Sequence, residues 1–212
     1  PKGCINFGLA HGIIAPLIAL AKAKKYGYNV KGINATISGL RQLYEKYSVR
    51  DMNILKYPTM LSVEDYFSNT VSKDSITYNA AWRYGNAGIV RGLMKVSYYL
   101  NDNNNYQYYK KELLSIINQE LDNYNFDLPI VCHGYASVLS IQISAFRESG
   151  DKSFLITRER NMRQTIISHR NCIFNDEYTN DYSILSGESG TILTLINGIY
   201  LSKEYPKLLM ID

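Results

Sequence analysis

Of the three cysteines and three histidines in this 212-residue chain, one of each stands side by side as Cys132-His133, followed at once by Gly134 in VCHGYASVL. Neighbouring side chains on a helix or strand point to different faces, so the pair can share a target only where the backbone turns. Glycine supplies such a turn. Two readings stay open on these residues alone: two ligands to one metal ion, or a buried cysteine beside a capping histidine. His11, in GLAHG at the start of an apolar stretch, could move a proton near neutral pH or serve structure alone. His169 and Cys172, in HRNC, have a spacing that could chelate by itself, although a small buried cysteine near a helix end is the preferred reading. Cys4 lies seven residues before His11.

The elements that must hold these residues are helical. Apolar residues recur with helical period in GIIAPLIALAKAKKYG, which ends in a basic turn and Gly27. They recur over 32–47, where Ile33, Ile37, Leu40 and Leu43–Tyr44 share a face. The same period predicts helices near 87–100, 106–122, 134–149, 153–169 and 188–203. Residues 50–80 read mainly as connecting structure, with short strands around NILKYP and TMLSV, and NDNNNYQ at 101–107 reads as a polar turn. Helix–loop–helix alternation without a strand–helix–strand rhythm predicts an all-α protein. The 19 tyrosines suit half-exposed packing on such helices.

Composition narrows the function. With 46% hydrophobic residues the chain can build one sizeable core, and a net charge of +4 with Lys and Arg scattered among acids gives no stripe for nucleic acid. Three widely spaced cysteines make no disulfide framework, which points to a reducing compartment or a metal role. The apolar run 12–21 is too short to span a bilayer, is interrupted by Pro16, and lacks the features of a signal peptide, so the protein is expected to be soluble and cytoplasmic. The chain begins at Pro1 with an apolar segment close behind, and it reads as part of a longer polypeptide.

A glycine-bearing turn precedes an apolar helix four times: GLAHGIIAPLIAL, RYGNAGIVRGLM, CHGYASVLSIQI and LSGESGTILTLI. Taking Gly12, Gly88, Gly134 and Gly190 as equivalent gives separations of 76, 46 and 56 residues, about one helical hairpin per repeat, with 50–80 inserted in the first. Repeated hairpins predict a solenoid or a closed ring of helices.

Together, GLAHGI (8–13), WRYGNAGI (82–89), CHG (132–134) and SGESGTILTLI (186–196) resemble the lanthionine synthetase C-like family, the cyclases of lantibiotic biosynthesis, across essentially the whole chain. The resemblance implies an α/α toroid, here a single domain over 1–212 that is about half of the full ring and lacks its N-terminal side. It also implies zinc at the centre, thioether ring closure between a peptide cysteine and a dehydroalanine or dehydrobutyrine, and a dehydrated lantibiotic precursor peptide as substrate. A dehydratase and a transporter would be partners, holding a cytoplasmic protein at the inner face of the membrane. By the same resemblance Cys132 and His133 are metal ligands, His11 is a general acid/base, and Tyr84 either bonds the substrate or merely packs. The chemistry is coherent: a free thiol has a pKa of about 8.5, so metal binding activates it, and the enolate formed by addition needs a proton.

One position departs from the family. The third ligand belongs to a Trp-Cys-Tyr-Gly motif, and this chain reads Trp82-Arg83-Tyr84-Gly85. A guanidinium stays charged and has no lone pair to give, so zinc affinity should fall, and Arg83 could take the metal's place beside a Cys132 thiolate. The family's arginine three residues before the tryptophan is here Asn79. An inactive relative, a damaged allele (one base change turns a Cys codon into an Arg codon) and an unusual ligand set all remain open. The chain therefore reads as a cyclase-like protein with impaired chemistry, or as a peptide-binding or scaffolding relative. A glycosidase on a similar helical ring would need two facing carboxylates, and Glu188 has no evident partner.

Overall fold

The computed structural model describes residues 3–175, 181–201 and 209–211. Helices α1 (Ile14–Lys25), α2 (Ile33–Lys46), α3 (Val63–Ser68), α4 (Asn86–Tyr99), α5 (Asn103–Ile117), α6 (Tyr135–Ser149), α7 (Arg158–Phe174) and α8 (Glu188–Tyr200) carry the fold. Four short strands accompany them: β1 (Cys4–Asn6) pairs antiparallel with β4 (Met60–Ser62), and β2 (Val49–Asp51) with β3 (Ile54–Lys56). None of the helices among the described residues is long and apolar enough to cross a membrane.

The helices after the glycine turns, α1, α4, α6 and α8, pack side by side in chain order, and α2, α5 and α7 each lie against the helix before them. This is the α/α toroid arrangement, an inner row of helices and an outer one. Burial follows from position in the row. All of α4 except Tyr98 is buried, as is α6 from Tyr135 through Ala145, because each has inner neighbours on both sides. At the end of the arc, α8 leaves Ile192, Ile196 and Ile199 exposed.

The expected helices are present, with shifts at their ends that side-chain caps explain. Residues 101–107 were expected as a turn, but only Asn101 and Asp102 make it. The Asp102 side chain accepts from Asn105 N–H and so starts α5 at Asn103. In 153–169 the first residues form a 3-10 turn, capped by Asp151 on Ser153 N–H, and the α-helix begins at Arg158. The strands expected near NILKYP and TMLSV are β3 and β4; the pairing of β1 with β4 was not read from the sequence. The last residues of the helix expected over 188–203 lie outside the described residues.

The repeat register needs correcting. In each inner repeat the first N–H after a glycine reaches back seven residues: Ile13 to Asn6 O (2.9 Å), Asn86 to Asn79 O (3.1 Å), Tyr135 to Leu128 O (3.1 Å) and Glu188 to Asp181 O (2.9 Å). The equivalent glycines are therefore Gly12, Gly85, Gly134 and Gly187. Gly88 and Gly190 lie one helical turn further in, where the third repeat has Ser137. Two repeats carry a glycine at both places, so spacing alone could not choose between them. At Gly134 a side chain is excluded, since a Cβ would stand 2.2 Å from Leu128 O.

A buried ion network ties α4 to α6. The fully buried Arg91 pairs with Glu148 (2.9 Å), Lys95 pairs with the other carboxylate oxygen (2.7 Å), and Arg91 also donates to Ile211 O (2.6 Å). Trp82 donates its indole N–H to Leu209 O (2.8 Å), so segment 209–211 is held from both sides. Burial alone would raise the Glu148 carboxyl, but Arg91 and Lys95 overcome it and hold the group at about 2.

Gly134→Ala should cost about 1–3 kcal/mol of unfolding free energy, read by denaturant titration, since backbone must move. Because the folded pKa of Glu148 is depressed, its stabilisation is complete above the unfolded carboxylate range near 4.5 and is lost as pH falls toward about 2. Glu148→Gln should flatten that acid limb and destabilise the fold by about 3–5 kcal/mol, because Arg91 and Lys95 stay buried without their counter-charge.

Candidate functional site at the hub

The four reach-back turns meet at the inner end of the arc, and one backbone ladder joins them. Ala10 N–H donates to Arg83 O (3.2 Å), Arg83 N–H to Cys132 O (3.1 Å), and Cys132 N–H to Leu185 O (2.8 Å). Each residue stands two before its repeat's equivalent glycine, so Arg83 and Cys132 hold the same place in successive repeats. The first turn is anchored from behind: Phe7 is buried against Tyr44 with ring centroids 4.9 Å apart, and Tyr44 donates its hydroxyl to Phe7 O (2.7 Å). Gly8 then lies against Arg83 and Tyr84 so closely that a Cβ would come within 2.6 Å of the tyrosine ring. The ladder thus brings residues from 11, 83–84 and 132–133 to one place.

Around that place the structure gathers His11, Arg83, Tyr84 and Cys132. Arg83 Nη1 is 3.8 Å from Cys132 Sγ, Nη2 is 3.4 Å from His11 Nε2, and the guanidinium stands over the Tyr84 ring at 4.6 Å. The His11 and Tyr84 rings are 5.9 Å apart. His133 is exposed and close enough to feel the charge of Arg83. A guanidinium only donates, so His11 Nε2 accepts in this geometry, and a neutral imidazole then keeps its proton on Nδ1.

The electrostatics follow from burial and from Arg83. Burial pushes the Cys132 thiol up, and Arg83 pulls it down without overcoming that effect. Arg83 does stand beside Cys132, and desolvation holds the sulfur toward the thiol form against the pull of that half-exposed cation. Burial, and then Arg83, lower the pKa of His133 and keep it neutral.

Do these residues fit zinc? Cys132 and His133 offer two donors, and a zinc–sulfur bond is about 2.3 Å long. The equivalent position in the second repeat, Arg83, presents a cation 3.8 Å from that sulfur, where a zinc ion would have to approach. Among the described residues no group of three or more His, Cys, Asp or Glu side chains could hold a metal. The donor set does not fit zinc held by three protein ligands. The other candidates lie elsewhere: Cys4 is exposed on β1, Cys172 is buried in α7, and His169 faces Glu188 at 3.7 Å. Asn79 closes its own turn, its side chain accepting from Ala81 N–H and its backbone carbonyl from Asn86 N–H.

An α/α arc whose inner helices begin at a Cys-His hub defines a class, and comparison with known proteins gives it a name. The family model of the lanthionine synthetase C-like proteins matches residues 1–210, and the chain belongs to that family. Among its relatives is the nisin biosynthesis protein NisC of Lactococcus lactis subsp. lactis, 28% identical over 143 residues, which are 66% of this chain and 33% of that protein. The solved structure of nisin cyclase superposes with a TM-score of 0.82 at 23% identity, covering 99% of this chain and 50% of that one, and it carries the fold assignment. The chain thus spans about half the length of the relatives it matches.

Two hub features escaped sequence reading, the ladder and the stacking of Arg83 on Tyr84. The repeated seven-residue reach-back before each inner helix was the available signal for the first. Alkylation of Cys132 in a Cys4→Ser background should show a rate–pH midpoint above that of an ordinary cysteine. Arg83→Gln should move the midpoint further up, since it removes the charge that pulls the other way.

Proposed function

We propose that this chain is a lantibiotic cyclase-like protein that keeps the family's peptide-receiving hub but has lost zinc-dependent thioether closure. The observation that supports this most is the position of Arg83, on the ladder beside Cys132, with its charge directed at the only sulfur of the hub. Ring closure is an isomerisation: a C–S bond and a C–H bond form while an S–H bond and an alkene π bond are lost. It therefore needs a thiolate and then a proton donor. The thiol that must ionise belongs to the peptide, and where an activating metal ion would stand this hub presents the guanidinium of Arg83, which also engages His11 Nε2.

The substrate in this reading is a dehydrated precursor peptide, taken over from the relatives, whose names tie them to nisin. Work alongside a dehydratase and a transporter at the cytoplasmic face of a membrane is part of the same proposal. What the chain retains is the scaffold that brings four turns to one point, and this supports peptide binding better than catalysis.

Metal analysis of the purified protein decides the matter. The chain as it stands should carry far less than one equivalent of zinc after dialysis, whereas Arg83→Cys, which restores a Cys₂His donor set, should approach one. Zinc near one equivalent in the unsubstituted chain, lost on Cys132→Ala, would show instead that an unusual ligand set operates.

A further inference from the structure

We propose that the hub binds a carboxylate group of a peptide through the guanidinium of Arg83. This rests on the peptide-binding reading above and names the chemistry that the altered site would recognise.

Other arginines that reach into the fold are matched by acids: Arg91 by Glu148, Arg41 by Asp102 and Arg50 by Glu112. Arg83 is half-buried, yet no carboxylate of the described residues lies within ion-pair distance of it. Its contacts are a sulfur at 3.8 Å, an imidazole nitrogen at 3.4 Å and the face of Tyr84. The sulfur and nitrogen contacts are both at long range and the Tyr84 hydroxyl also bonds the guanidinium, so its partners are neutral groups and no carboxylate balances its charge. Stacking on Tyr84 fixes the plane of the fork, and a planar fork held in one orientation suits bidentate recognition of a carboxylate.

The surroundings have the same sign. The inner helices α1, α4, α6 and α8, of 12, 14, 15 and 13 residues, all begin at the hub, and none has a side-chain cap on its first N–H groups. The first N–H after each glycine is taken up by a reach-back carbonyl, so the helix ends add only a modest positive field to that of the guanidinium. Three of them carry no acid in the first turn, and the fourth has Glu188, whose carboxylate faces His169 on α7. A site that in the relatives' sequence pattern offers a cysteine here offers an uncompensated cation. An anion from the peptide completes it. The carboxylate can come from an Asp or Glu side chain or from the peptide's C-terminus.

Trp82, the single tryptophan, adjoins Arg83 in the chain and reports on the site by its fluorescence. Three probes separate the cases: N-acetyl-Gly-Glu-Gly-amide for a side-chain carboxylate, N-acetyl-Gly-Gly-Gly with a free C-terminus, and N-acetyl-Gly-Gln-Gly-amide as the neutral control. At least one carboxylate probe should give a saturable change that weakens with added salt, while the neutral peptide gives none. Arg83→Gln should weaken binding at least about tenfold, and Arg83→Lys, which keeps the charge but not the fork, should fall between. No saturable response to either carboxylate probe beyond that of the neutral Gln peptide, or unchanged binding in a folded Arg83→Gln variant, would overturn the proposal. Comparison of the two carboxylate probes with the Gln peptide on the unsubstituted chain decides the question even if that variant does not fold. A failure here with low zinc and recovery in Arg83→Cys would leave the loss of zinc chemistry standing and remove only the anion site.

Discussion

Everything at the hub depends on a single interaction type, the backbone hydrogen bond passed from turn to turn through Ala10, Arg83, Cys132 and Leu185. Each bond alone contributes only about 1 kcal/mol. Their importance is geometric. Because they use main-chain groups, they hold the same register whatever side chain stands there, and position 83 can change its side chain without moving the turns. The scaffold and the side chains it presents are thereby separable.

The alteration is large in electrostatic terms although it changes one side chain. A thiolate ligand would lower the net charge around a metal, whereas a guanidinium adds a permanent positive charge beside the Cys132 sulfur. A cation at that place must meet Arg83 first. The burial of Cys132 also weighs against thiolate formation.

Away from the hub, the Arg91–Glu148–Lys95 cluster does what the ladder cannot, and locks the buried bodies of α4 and α6 together along their length. It also receives segment 209–211, which reaches Trp82 at one end and Arg91 at the other. The residue before Arg83 is therefore braced by a distant part of the chain. The open side of α8, with its isoleucines exposed, fits a chain that spans half of a ring.

The sequence by itself determined the helical class, the four glycine turns and the residues that meet at the hub. Helical period, turn glycines and the rare Cys-His pair are local signals, written in consecutive residues. It also showed Arg83 standing where the resembled motif carries a cysteine. Only the tertiary structure decided the repeat register, because Gly85 and Gly88, like Gly187 and Gly190, are equally good local candidates and a hydrogen bond to a carbonyl seven residues back selects between them. The protonation of Cys132 and the acceptor role of His11 were likewise invisible in the sequence. The first is set by burial against the pull of a guanidinium 49 residues away along the chain and the second by the same guanidinium 72 residues away, and desolvation and charge act through space.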